Sequence, residues 1–370
     1  MLNKSVISPN QLLAMIILFE FGTALVIPIG GQTNQGVWLS IWVALPGGLL
    51  IYLMFDYLLR QYPNMIPSEY MAVLLGRYLA WPLSLLYMLH FLYIASRNLR
   101  EAGDLLIASS YDQTPTVVMH LAMIIAAVYV LQKGVEVFFR LAQIYLIIMI
   151  CAGGLGNLVI LFSGQIDPAN LQPITGEGWR TVLGAAYPYI LMFPFAEVAA
   201  FGTVLPRLNH VRMARKTGIL ALVLSAVGLS ITHAVEMSVL GSDLYSRSTF
   251  PLFTTIGLVE IADFLQRLDA LVLLTLIIGV FFKMSMYIYS AMVTAAYLFR
   301  IEDERRLAYA AGITVLFMSI LIAPNFLEHK EEGTTHLTLI FPGYSLYLPA
   351  LLVLLHLIRK RFGGKHHSRT

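Results

Sequence analysis

The sequence is poor in charge and nearly empty of cysteine. Asp, Glu, Lys and Arg supply only 12% of its 370 residues, about half the share of a soluble domain. A chain so lightly charged does not build a mostly hydrated surface. Its single cysteine, Cys151, lies inside an apolar run, so no disulfide forms within the chain. There is no HExxH, no GxSxG, no Walker-type glycine loop and no Cys/His cluster. The terminal His366-His367 pair does not make a metal site by itself. These absences argue against an enzyme, and neither a cofactor nor a metal is expected. No basic stretch is interleaved with aromatics, which argues against nucleic acid as a partner.

What is present is apolar sequence, 58% of the chain. It falls into runs of about twenty residues, the length a helix needs to cross the hydrocarbon core. The expected fold is an all-α polytopic membrane protein of about ten spans. They fall near 9–30, 36–59, 81–109, 115–132, 136–163, 180–204, 212–240, 268–299, 305–325 and 337–358. The eighth is the longest by this reading. The first run opens at Pro9 and contains Glu20, so it reads as a retained helix rather than a cleaved signal peptide. Residues 1–362 form one integral membrane domain, followed by a basic tail at 363–370.

The positive residues set the direction. Of 24 Lys and Arg, the larger share falls on one side, including Arg60, Lys133, Arg215, Arg300, Arg305 and Arg359. Both termini are therefore placed in the cytoplasm. Two connections are long for plain turns. Residues 62–80 suggest a short helix on the cytoplasmic surface. Residues 249–266 carry Phe253, Ile256, Val259 and Leu265 at helical spacing, with Glu260 and Asp263 among them. That pattern fits an amphipathic helix over the outer mouth, either a lid or an ordinary interfacial helix.

Two spans carry residues that interrupt a helix. Span one contains Phe21-Gly22-Thr23-Ala24, then Pro28, Gly30 and Gly31. Span six contains Pro188, Phe193-Pro194 and Glu197. Backbone groups freed inside a membrane need partners from protein, water or ligand. Spans one and six open two five-helix halves, about 9–163 and 180–358. Five is odd, so the second half runs inverted. Matching breaks in inverted halves point to a midplane site.

Ionisable groups in the hydrocarbon are costly and usually face a partner or a cavity. Glu20, Glu197 and Lys283 lie at similar depth and suggest one charged centre. A lone lysine there costs roughly 2.5–3.5 kcal/mol on insertion scales, so a carboxylate partner is expected. Two readings stand, a binding centre or an ion pair that only fixes packing. In span three, His90, Arg97, Glu101 and Asp104 share one face. Arg97 with Glu101 and Arg100 with Asp104 are i, i+4 pairs. This face lines an outer vestibule or makes interhelical contacts. His233 and Glu236, near the outer end of span seven, read as interfacial. In span eight, Thr275, Gly279, Lys283 and Tyr287 form a stripe that a neighbour approaches closely at Gly279.

The ten-span plan and the breaks at Phe21-Gly22-Thr23-Ala24 and Pro194…Glu197 resemble the amino acid–polyamine–organocation transporter superfamily. An ordered set of shorter stretches is similar to the B-subunit family of bacterial spore nutrient-germinant receptors. It comprises Ile7-Ser8-Pro9-Asn10-Gln11-Leu12, Ala95-Ser96 to Arg100, and Gln113-Thr114-Pro115. It continues with Asn170-Leu171-Gln172-Pro173-Ile174, Gly176-Glu177-Gly178, Glu197-Val198 and Leu205-Pro206. The similarity covers essentially the whole chain.

The resemblance implies a LeuT-like 5+5 inverted repeat with helices one and six broken around a small amino-acid-like ligand. By position, Gly22, Thr23 and Ala24 would meet the ligand's backbone groups. Ile94 and Asn98 from helix three, Phe193 and Glu197 from helix six, and Lys283 and Tyr287 from helix eight would complete the site. Lys283 departs from sodium-coupled relatives, which offer hydroxyls to a cation near this depth. Its ammonium would replace sodium and pair with Glu20 or with a ligand carboxylate. The implied role is germinant sensing in the inner spore membrane beside A and C subunits. A proton-coupled amino acid transporter, with Glu20, Glu197 or Lys283 as the proton carrier, is the alternative.

Overall fold

The computed structural model describes residues 6–30, 33–109, 113–176, 178–259, 269–323 and 325–362. Its helices run in the order α1 (Pro9–Phe21), α2 (Val37–Gln61), α3 (Pro67–Leu75), α4 (Arg77–Ser109), α5 (Thr116–Lys133), α6 (Val135–Phe162), α7 (Trp179–Gly184), α8 (Ala214–Arg247), α9 (Pro251–Gly257), α10 (Asp269–Phe299), α11 (Ala308–Leu321), α12 (Phe326–Thr335) and α13 (Leu348–Phe362). Among the described residues there is no strand, only an isolated bridge between Ile7 and Leu208. Eight described segments are long and apolar enough to cross a bilayer. The chain is an all-α polytopic membrane protein.

Each expected span has a helical counterpart; the sixth and tenth are built of several helical pieces, and the first and ninth are single helices shorter than the apolar runs suggest. The helix α1 has 13 residues and α11 has 14. In α1 the start is firm: Ser8 Oγ accepts from the Gln11 N–H, the Gln11 side chain accepts from the Ser8 N–H, and Pro9 occupies the first turn. The stop is Gly22, whose φ of +26° ends the ladder well before Gly30. Among the described residues the longest helix is α8, whose 34 residues run on past a kink at Gly241, where φ is +68°; the described part of α10 has 31 and begins at Asp269.

The short helix expected within 62–80 is α3. Glu69 accepts the Ile66 N–H at 2.8 Å at its start, and Gly76 ends it. The helix expected over 249–266 is present as α9 through Gly257. Glu260, Asp263 and Leu265 lie outside the described residues, as does the tail 363–370.

The helix α10 sits at the centre, packed against α1, α4 and α6. It meets the end of α1 through glycines. A Cβ at Gly279 would lie 2.6 Å from the Gly22 carbonyl oxygen, and one at Gly22 would lie 2.5 Å from Lys283 Cδ. Segment six is broken, as its prolines suggest. Past the end of α7, Tyr187 is extended (φ −129°, ψ 116°) within a wide turn over Ala185–Ile190. A single α-helical turn follows, closed by the Phe193 N–H donating to the Tyr189 carbonyl at 2.9 Å; Pro194, which has no N–H to give, then leads into a tight 3₁₀ stretch at Phe195–Thr203.

Candidate functional site

The two interrupted segments border a cavity of about 450 Å³. Ile27, Pro28 and Gly30, just past the break in α1, form one wall. Ile94, Arg97, Asn98 and Glu101 of α4 form a second. Tyr189, Phe193 and Glu197 of segment six form the floor. Ser246 and Thr249, beyond the kink in α8, and His329 and Gly333 of α12 complete the rim.

Four of the expected binding residues, Ile94, Asn98, Phe193 and Glu197, reach the cavity together. Asn98 is 4% exposed. Its Nδ2 donates to the Ile94 carbonyl at 2.9 Å, while Oδ1 is buried with no partner. Such an acceptor is costly unless something donates to it.

The charged centre is Glu197 with Lys283. The Lys283 ammonium pairs with Glu197 Oε2, and the Tyr287 hydroxyl donates to Oε1 at 2.8 Å. The ammonium also lies 4.4 Å from the Phe193 ring centroid and 5.5 Å from that of Phe19, where ring quadrupoles favour a cation. Lys283 and Tyr287 stand behind Glu197 and are not part of the cavity wall. The carboxylate that Lys283 meets is Glu197, not Glu20. Glu20 is fully buried and neither of its oxygens has a hydrogen-bond partner.

Gly22, Thr23 and Ala24 are not on the cavity wall either. Thr23 and Ala24 are fully buried within the break. The Ala24 carbonyl is already taken, because His233 Nε2 lies 2.9 Å from it. The break is therefore satisfied in part by protein, one of the solutions open to it.

Two clusters exceed what the sequence suggested. His233 and Glu236, near the outer end of span seven, are both fully buried within the protein. The two residues face inward from α8 onto α1, which a pattern three residues apart near a span end does not disclose. On α4 both i, i+4 pairs form, Arg97 with Glu101 at 3.9 Å and Arg100 with Asp104 at 3.0 Å. Arg97 gains partners from α12, in the connection between spans nine and ten. It pairs with Glu332, which also accepts from the Tyr93 hydroxyl, and it donates to the His329 carbonyl at 3.0 Å. On the same face His90 stacks on Tyr344, with centroids 4.3 Å apart, and on His336 at 5.2 Å. Among the described residues, no group of three His, Cys, Asp or Glu is placed to hold a metal ion.

Sequence comparison fits this architecture. A profile described as "Spore germination protein" matches residues 6–327. The chain is 37% identical over 361 residues to spore germination protein KB of Bacillus subtilis (strain 168), covering 97% of each. It is 26% identical over 291 residues to the putative spore germination protein YfkT of that strain, covering 76% of each. With spore germination protein A2 of the same strain it shares 24% over 337 residues, 88% of each chain. A profile match over most of the chain, joined to such end-to-end identity, places this polytopic membrane protein in the spore germination protein family.

Proposed function

We propose that the protein is the germinant-sensing B subunit of a spore germination receptor in the inner spore membrane. It binds a small amino-acid-like ligand in the cavity between segment six and α4 and signals to A and C subunits. The observation that carries this reading is the cavity itself. A volume of about 450 Å³ falls within the range of small-molecule sites. Its wall combines apolar Ile94 and Phe193 with an unpartnered acceptor at Asn98. Two irregular backbone segments border it, and in this proposal they are the part that changes between two arrangements. A ligand that prefers one of them shifts the balance.

Residues near the cavity divide into two roles in this proposal. Ile94, Asn98, Phe193 and Glu197 touch the ligand. Gly22, Thr23, Ala24, Lys283 and Tyr287 shape the wall from behind. The test is a thermal-stability screen of the purified protein against the twenty L-amino acids. Stabilisation by one of them that disappears in Ile94→Trp supports the reading. No stabilisation by any of them ends it.

A second reading, a proton-coupled amino acid transporter, draws on Glu20. A buried carboxyl without partners is stable as the neutral acid and is a natural proton carrier. Flux of labelled amino acid into proteoliposomes driven by a pH gradient would favour transport over sensing.

A further inference from the structure

His233 stands between two walls of the cavity without touching its interior. It belongs to α8, and its ring is fully buried. Nε2 lies 2.9 Å from the Ala24 carbonyl, three residues before Ile27 in the wall that follows α1. A carbonyl only accepts, so Nε2 carries the hydrogen. The other nitrogen, Nδ1, is 2.8 Å from Glu236 Oε2 and 3.1 Å from the Tyr245 hydroxyl. Two acceptors cannot meet at 2.8 Å, so one proton is held between His233 and Glu236. Tyr245 lies beyond the kink at Gly241, next to Ser246 at the cavity rim.

These contacts run in one line: rim segment, Tyr245, His233, Ala24 carbonyl, α1 break. We propose that His233 is a positioning residue that fixes the unwound stretch of α1 to the rim segment of α8. Movement of either wall is thereby passed to the other. The carbonyl of Ala24 has left the helical ladder and needs a donor inside the protein. His233 supplies it, with the tautomer set by Glu236. The inference concerns the break itself and does not depend on which solute enters the cavity.

The test is hydrogen–deuterium exchange on the intact, ligand-free protein, comparing residues 22–30 with the α10 stretch 280–288. Three variants separate the roles. In His233→Gln the amide nitrogen sits near the place of Nε2 and still donates to Ala24. In His233→Asn the amide stays near Glu236 but falls short of the carbonyl. His233→Leu/Glu236→Leu removes both polar groups together and leaves no buried charge unpaired.

Exchange at 22–30 should rise at least tenfold in His233→Asn and in the double variant, remain near wild type in His233→Gln, and stay unchanged at 280–288 throughout. Tyr245→Phe should raise exchange at 242–249. Wild-type protection in His233→Asn, or equal loss in the Gln and Asn variants, would overturn the proposal. A rise that spreads equally to 280–288 would also overturn it, because His233 would then be a packing residue.

Discussion

The Glu197 carboxylate holds Lys283 with one oxygen and Tyr287 with the other, so a single side chain joins segment six to α10. Both charges are buried, Lys283 completely. Removing one partner from such a pair strands a charge and costs about 3–5 kcal/mol. Removing both leaves no stranded charge. Lys283→Met and Glu197→Leu should each lower the unfolding temperature strongly. The double variant should lose clearly less than the sum of the two. Thermal unfolding of the four proteins in detergent checks this, and simple additivity would mean the pair carries no coupling.

Glu20 makes the opposite prediction. It is as buried as Lys283, yet neither oxygen has a partner. An ionised carboxylate there would be costly, whereas the neutral acid needs no counter-charge. The amide of Gln has nearly the same shape. Glu20→Gln should therefore change stability by no more than about 1 kcal/mol, a small effect beside the loss expected for Lys283→Met. A large loss in Glu20→Gln would show that the carboxylate is ionised and held by a partner.

The sequence displayed the frame of this molecule because bilayer thickness imposes it. Apolar runs near a fixed length, Gly22 in span one and Pro194 in span six were all readable as written. Lys283 also announced its need for a carboxylate. Which carboxylate it takes was not legible, because Glu20 and Glu197 lie at similar depth and only helix rotation separates them. The contribution of α12 was hidden for a different reason. Glu332 sits in a polar stretch that gives no packing signal, and its contact with Arg97 crosses 235 residues. The partner of His233 is not legible either, because a position near a span end says nothing about a neighbour that is itself unwound there.

The contact of α1 with α10 rests on glycine twice. Gly22 has φ +26°, and a Cβ there would also press on Phe19 O at 2.9 Å and Lys283 Cδ at 2.5 Å. A non-glycine residue in such a conformation costs about 1–3 kcal/mol. Gly279 has ordinary helical backbone but no room, with Gly22 O only 2.6 Å from the added carbon. Gly22→Ala and Gly279→Ala should both lower the unfolding temperature, the former through backbone and contact, the latter through contact alone. Because both press on the same junction, their losses should fall short of additive. An unchanged unfolding temperature in Gly279→Ala would mean that the two helices stand further apart than here.

The cavity itself is tested by filling it and by removing its orphan acceptor. Ile94 and Asn98 are four residues apart on α4, with Asn98 Nδ2 bonded to the Ile94 carbonyl and Oδ1 left over. A ligand amine that reaches Oδ1 gains a hydrogen bond that the protein itself leaves unmade. Asn98→Leu keeps the side-chain volume and removes that acceptor, so affinity should fall at least tenfold, about 1.4 kcal/mol. Ile94→Trp should occupy the cavity and abolish binding. Wild type at one hundred times its dissociation constant gains about 2.7 kcal/mol from the ligand. That gain is readable as a rise in unfolding temperature, and Asn98→Leu should need at least ten times more ligand to reach it. The unliganded unfolding temperature of each variant separates lost binding from lost folding. Equal ligand stabilisation in wild type and in Asn98→Leu would remove Asn98 from the site and leave its unpaired oxygen to a bound water.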